Sequence, residues 1–195
     1  ITLGGSLQAT RSGLADNVVA IEIASGRDIL LASTTSLTTP ASGAIRLTAA
    51  GAINLKVNDG GNNGASNSLT AAGNLDLSAG TAISRTDGNA VLLSGKAVSL
   101  SAGSSIGSLG GAITATTGDL VLNATTGVTA DALVATLGSI DVDSGTPVTI
   151  TSLSAGSAVF VDAAGSISLG TVNAGNGIVD LHATGAASDI TLGGS

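Results

Sequence analysis

The chain has no cysteine, methionine, tryptophan or tyrosine, one phenylalanine, and two prolines in 195 residues. Without cysteine there is no disulfide, no thiolate nucleophile and no thiolate metal ligand; a cysteine-free chain suits exported bacterial proteins. Without methionine the chain does not open on a translation start, which leads us to expect a segment of a longer molecule. The missing tryptophan and tyrosine remove the aromatic girdles of a membrane β-barrel and the large rings that usually fill a compact core. No apolar run approaches the roughly 18 residues of a membrane helix, and no stretch has the layout of a signal peptide. Lys and Arg number 6 against 13 acidic residues, a net charge of -7. That balance argues against nucleic acid as a partner, because phosphates demand cations.

What is present is apolar and small. Hydrophobic residues make up 43% of the chain, charged residues only 10%, and mean hydropathy is +0.52. Such a chain is too apolar to stay disordered. The 29 glycines recur in one local unit, Gly-x-apolar-x-apolar. It appears as GAIRL (43–47), GAINL (51–55), GNLDL (73–77), GDLVL (118–122), GSIDV (138–142) and GSISL (165–169). Alternating apolar residues mark a half-buried strand, and the preceding glycine supplies the turn. Nothing between the strands has helical spacing.

The units sort into three columns. The first is Ile29, Ile53, Leu75, Val98, Leu120, Ile140, Val159 and Val179. The second is Leu37, a gap, then Ile83, Ile106, Val128, Val148, Ile167 and Ile190. The third is Ile21, Ile45, Leu69, Val91, Ile113, Leu133, Leu153 and Val172. Registration is tightest late: a shift of 19 carries Ile140, Val142, Val148, Ile150 and Leu153 onto Val159, Val161, Ile167, Leu169 and Val172. This pattern predicts an all-β fold, a right-handed parallel β-helix (β-solenoid). It has three strands and about 19–24 residues per coil, and about nine coils, forming a single segment over 1–195. Residues 58–68 (NDGGNNGASNS) break the second column and predict a loop inserted in one coil, while residues 1–20 admit more than one phasing.

GSISL, GDLVL and GAINL, repeated coil after coil without cysteine, resemble the central shaft of the filamentous-haemagglutinin-type, two-partner-secretion adhesins. The resemblance covers nearly all of the chain and lies in the style of repeat. It implies a secreted, filament-forming protein of the cell surface or extracellular matrix. The Asn-Pro-rich signature of that family's secretion domain is absent, as a mid-shaft segment implies. Other long bacterial surface β-solenoids share the style.

Sites for chemistry are few. GSSIG (103–107) matches the G-x-S-x-G elbow around Ser105, but that motif needs a strand-to-helix turn and a histidine partner. The only histidine is His182, nearly four coils away, so a turn is the plainer reading. GNAVLLSGKA (88–97) resembles a phosphate loop but has Ala90 where glycine is needed and Ala97 where a hydroxyl would hold magnesium, which leaves Lys96 as an exposed turn residue. GGNNGASNSL (60–69) resembles the calcium nonapeptide repeat once, without its aspartate.

One acidic constellation remains. Asp141 and Asp180 fall between inward residues and so point outward, Asp143 and Asp162 are 19 residues apart, and His182 continues their line. Stacked carboxylates repel unless solvated, protonated or bridged by a cation, and Ca²⁺ suits oxygen ligands. Asp141, Asp143, Asp162 and Asp180 are therefore the candidate calcium ligands, against a solvated acidic face eased by His182. Phe160 lies outward between Asp141 and Asp180, the only platform for a sugar ring. An outward hydroxyl line, Ser84, Thr129, Thr149, Ser168 and Thr191, is interrupted by Gly107 and is too mixed for an ice-binding face.

The expected function is that of a structural rod, not an enzyme, with no required cofactor. Its expected partners are further copies stacked end to end, lateral neighbours, and cell-surface or matrix glycans. A glycan- or calcium-binding module and, less favoured, a polysaccharide-degrading enzyme are the alternatives. The phrase ITLGGS occurs at 1–6 and again at 190–195, which predicts a tandem period of 189 residues.

Overall fold

The computed structural model describes residues 1–32, 34–56, 66–86 and 88–193. All 22 regular elements among them are strands, and successive strands of each face pair in parallel. The chain winds as a parallel β-solenoid, with hydrogen bonds running from each coil to the next along the shaft axis.

The first face is an eight-stranded sheet whose inward line is Ile21, Ile45, Leu75, Val98, Leu120, Ile140, Val159 and Val179. Its strands show why the sequence folds this way. In Leu75–Ala79, Val98–Ala102, Ile140–Ser144 and Val159–Ala163, positions one, three and five are buried and the two between them are not. Two apolar side chains per strand enter the core, and a third, small residue follows: Ala49, Ala79, Ala102, Ala124, Ser144, Ala163 and Ala183 form one aligned row. Inward residues stack on their own kind, so a core of Ile, Leu, Val and Ala fills without aromatics. No coil buries its apolar edge alone; its neighbours do.

The second and third faces share a 14-stranded sheet. The inward line of the second runs Ile29, Ile53, Ile83, Ile106, Val128, Val148, Ile167 and Ile190, with Thr2–Leu3 paired beneath Leu30–Leu31. The third runs Leu7, Leu37, Leu69, Leu93, Ile113, Leu133, Leu153 and Val172.

These pairings correct the columns in the first half of the chain. Ile29 and Ile53 belong to the second column, Ile21 and Ile45 to the first, and Leu37 to the third; Leu93 rather than Val91 aligns with Leu69. From Ile113 onward the columns stand as the spacing predicts. The coil count is also lower than nine: the first face has eight rungs and about seven turns between Ile21 and Val179. The reason lies at the corner between the second and third faces. It separates Leu31 from Ser36 in one coil, Asn54 from Asn67 in the next, then Ser84 from Val91 and Ile106 from Ala112. Above that it shrinks to one residue, as Gly127–Ala135, Val148–Ala155 and Ile167–Asn173 each run through both faces, bending at Asp131, Thr151 and Gly170. Coils are long and uneven below, short and regular above.

The wide corner is tied by polar side chains. Asn67, fully buried, accepts from the Thr35 amide (3.0 Å) and donates to the carbonyls of Ala32 (2.9 Å) and Leu55 (2.8 Å). Asn67 and Ser68 open the strand Asn67–Ala71, so the expected loop over 58–68 ends before them; its residues 58–65 lie outside the described residues. Lys56 is also fully buried, its carbonyl accepting from the Thr86 amide at 2.9 Å. Arg85 donates to the carbonyls of Ser108 (3.1 Å), Gly88 (2.6 Å) and Asn89 (2.7 Å), and Asp131 accepts from the Ser108 hydroxyl (2.6 Å) and the Gly110 amide (2.8 Å). Gly110 has φ +70°, and a Cβ there would meet the Arg85 guanidinium.

Residues 9–18, ambiguous in sequence, form no coil strand of their own. They run as a strap along the corner between the third and first faces. The Ser42 hydroxyl accepts from the Leu14 amide and donates to the Arg11 carbonyl, each at 3.0 Å. The Asn74 amide donates to the Asp16 carbonyl (2.8 Å), and the Lys96 ammonium meets the Asp16 carboxylate at 2.7 Å.

Candidate polar face and groove

The first face presents two outward ladders. One reads Glu22, Arg46, Asp76, Ser99, Val121, Asp141, Phe160, Asp180; the other Ala24, Thr48, Ser78, Ser101, Asn123, Asp143, Asp162, His182. Asp143, Asp162 and His182 stand on consecutive rungs, and Phe160 separates Asp141 from Asp180. Adjacent rungs are about 4.8 Å apart.

The imidazole of His182 joins the ladders at their upper end. Its Nδ1 lies 3.5 Å from Asp162 Oδ1 and its Nε2 3.3 Å from Asp180 Oδ1, with all three side chains more than half exposed. Exposed pairs of this kind contribute about 0–1 kcal/mol each. Asp141 differs. It is half-buried between Val121 and Phe160 on its ladder, and that desolvation pushes its carboxyl above the ordinary carboxylate value; the charges of Asp143, Asp162 and Asp119 add to the shift. At the lower end Arg46 and Asp76 sit 3.9 Å apart.

Beside the second ladder runs an open groove of about 480 Å³. One wall is Ser101, Asn123, Asp143 and Asp162, and the floor is the row Ala102, Ala124, Ser144 and Ala163. Gly103, Thr125, Gly145, Ala164 and Thr184 close it where the strands turn. Small floor residues create the depression, and the turn backbone lies tight against it: a Cβ on Gly145 would run into the Thr125 carbonyl. The groove crosses five rungs and offers hydroxyl, amide and carboxylate groups at the coil repeat.

The expected calcium ligands are thus distributed. Asp143 and Asp162 line the groove, Asp180 reaches Asp162 only through His182, and Asp141 lies on the other ladder. Among the described residues no three His, Asp or Glu side chains converge as ligands of one ion. Ser105 begins the short strand Ser105–Ile106 rather than a turn, with no helix after it, and it belongs to a different sheet from His182. Lys96 is an exposed turn residue and ion-paired with Asp16. The hydroxyl line is in register from Thr129 through Thr149 and Ser168 to Thr191, and below Ser84 it continues as Asn54, Leu30 and Thr2. Sequence reasoning did not find the groove or its residues Ser101, Asn123 and Thr184; extending the Asp143–Asp162 line downward by whole coils would have reached the first two.

Comparison of the chain with protein-family models, with curated proteins and with solved structures finds no match.

Proposed function

We propose that the chain is a structural rod segment of a secreted, filamentous cell-surface or extracellular-matrix protein of the adhesin type. The observation that carries this reading is the continuity of the ladders: three faces stay in parallel register from the first coil to the last around one aliphatic core. Main-chain bonds along the axis, repeated at every rung, resist extension and hold the strands closed to a protease. An outer surface of Ser, Thr, Asn and Asp keeps such a rod soluble. Antibody raised against the chain should decorate extracellular fibres on intact source cells. Labelling that appears only after permeabilisation would overturn the reading.

The groove favours a second reading, a glycan- or calcium-binding module on the same shaft. For calcium, millimolar Ca²⁺ is expected to raise the melting midpoint, and Asp143→Asn with Asp162→Asn to abolish the rise; no response to Ca²⁺ rejects that ligand. For glycans, a screen of neutral and polyanionic oligosaccharides should show binding that Asn123→Ala weakens, without cleavage. Cleavage of any of them would instead favour an enzyme.

A further inference from the structure

Of the 11 asparagines in the chain, Asn123 alone is followed two places on by a hydroxyl residue: Asn123, Ala124, Thr125. Asn-x-Thr, with x not proline, is the acceptor triplet for a sugar on the asparagine amide. One such triplet in a chain rich in serine and threonine says little by itself. Its place in the coil says more.

Asn123 is the fourth residue of the strand Leu120–Ala124, outward and half-buried. Its neighbours on the ladder are Ser101 below and Asp143 above. Among the described residues its side-chain amide has no hydrogen-bond partner. Thr125 is exposed at the turn that follows, in register with Gly103 one coil below and Gly145 one coil above. Asn123 and Thr125 both line the groove, with Ala124 between them in its floor. An enzyme approaching the triplet meets an unbound amide, and a hydroxyl flanked by glycines that carry no side chain.

The groove has room for what is attached. Its volume of about 480 Å³ falls within the roughly 300–1,000 Å³ of sites that hold small ligands. Above Asn123 the wall offers Asp143 and Asp162 on successive rungs, acceptors for sugar hydroxyls. The same carboxylates repel an acidic, sulfated or phosphorylated sugar. Ala124 and Ala163 give the C–H face of a ring a smooth apolar floor.

We propose that Asn123 is a modification site, its side-chain amide bearing a neutral hexose or N-acetylhexosamine that lies along the groove toward Asp162. The bond forms between Asn123 Nδ2 and the anomeric carbon of a sugar carried as a nucleotide or lipid phosphate ester. The bond from that carbon to the phosphate oxygen breaks, and the phosphate leaves with the electron pair. The amide gives one proton to a base of the transferase. The groove then holds the chain's own sugar, not a captured one. The inference rests on the reading of the chain as a secreted protein, where such triplets are modified, and goes beyond it by filling the groove.

Mass spectrometry of the chain purified from its source cells tests this. Cleavage before Asp119 and Asp131 releases residues 119–130, in which Asn123 is the only asparagine. That peptide is expected to carry the added mass of one or more neutral hexose or N-acetylhexosamine units. In the same cells, Asn123→Gln and Thr125→Ala should each abolish the increment and Thr125→Ser retain it, with an unchanged far-ultraviolet spectrum. Nuclear Overhauser contacts between the sugar and the Ala163 methyl are expected in the modified chain. A bare Asn123 in the secreted chain overturns the proposal. So does an increment that survives Thr125→Ala, an anionic sugar, or a sugar without contact to Ala163. Labelling of intact cells together with a bare Asn123 removes this inference and leaves the rod reading. A modified Asn123 in a chain labelled only after permeabilisation does the reverse.

Discussion

Asn67 carries out, with one side chain, what the rest of the core leaves to packing. Its amide satisfies three backbone groups at the point where the chain returns after residues 57–65. Removing it takes that donor from the Leu55 carbonyl and leaves the Thr35 amide with only its 3.3 Å bond to the Ala32 carbonyl, which the Thr35 hydroxyl also holds, at about 1–3 kcal/mol in total. Asn67→Ala should therefore lower the unfolding free energy by that amount in a urea titration; a loss under 0.5 kcal/mol would mean water replaces the amide. Asp141 works in the opposite direction. A carboxyl held above its unfolded value binds its proton more readily in the folded chain. Stability then falls as pH rises through the interval between the two values, and stays at the lower level above it. Asp141→Asn is expected to stabilise the fold at pH 7 by about 0.2–1 kcal/mol, the scale of a cross-strand pair. The gain should vanish below about pH 3.5, where the unfolded carboxyl is protonated as well. Melting curves at the two pH values check both parts.

Among the elements, the corner between the second and third faces decides how the coil is phased. Asp131 is where the last wide corner ends: its carboxylate holds Ser108 and Gly110 of the coil below, and its own backbone is the first single-residue bend. Asp131→Ala should cost about 1–3 kcal/mol and make residues 107–111 the first site of limited proteolysis, whereas Asp131→Asn, which keeps one acceptor, should lose less. The same corner explains what could be read from the sequence. Strand identity was legible wherever Gly-x-apolar-x-apolar recurs, because burial alternation needs only local pattern. Register was legible after Ile113, where single-residue bends hold the period at 19–20. Before Leu69 the three faces share one alternation and differ only in corner length, so Ile21, Ile29, Leu37, Ile45 and Ile53 could not be told apart by it. The acidic ladder belongs to the regular half and was visible as a 19-residue spacing. The groove beside it was not, since its depth comes from an alanine row and the backbone of the turns.

For the molecule as a whole, stability is close to a sum over rungs and their contacts. Amide exchange should be slowest in the strands Leu75–Ala79, Val98–Ala102 and Leu120–Ala124 and accelerate toward Thr2–Leu3 and Ile190–Leu192, each of which has a partner strand on one side. Uniform exchange across all rungs would instead indicate a single cooperative unit. The uneven corner also divides the shaft into two kinds of material. Where the corner is a loop, as at 107–111, extra residues can be spliced in and the inward residues on either side keep their places. Where it is one residue, as at Thr151, a single insertion turns every following side chain of the coil to the opposite side. The lower half is thus a place to graft a foreign peptide, and the upper half a ruler that tolerates substitution but no change in length.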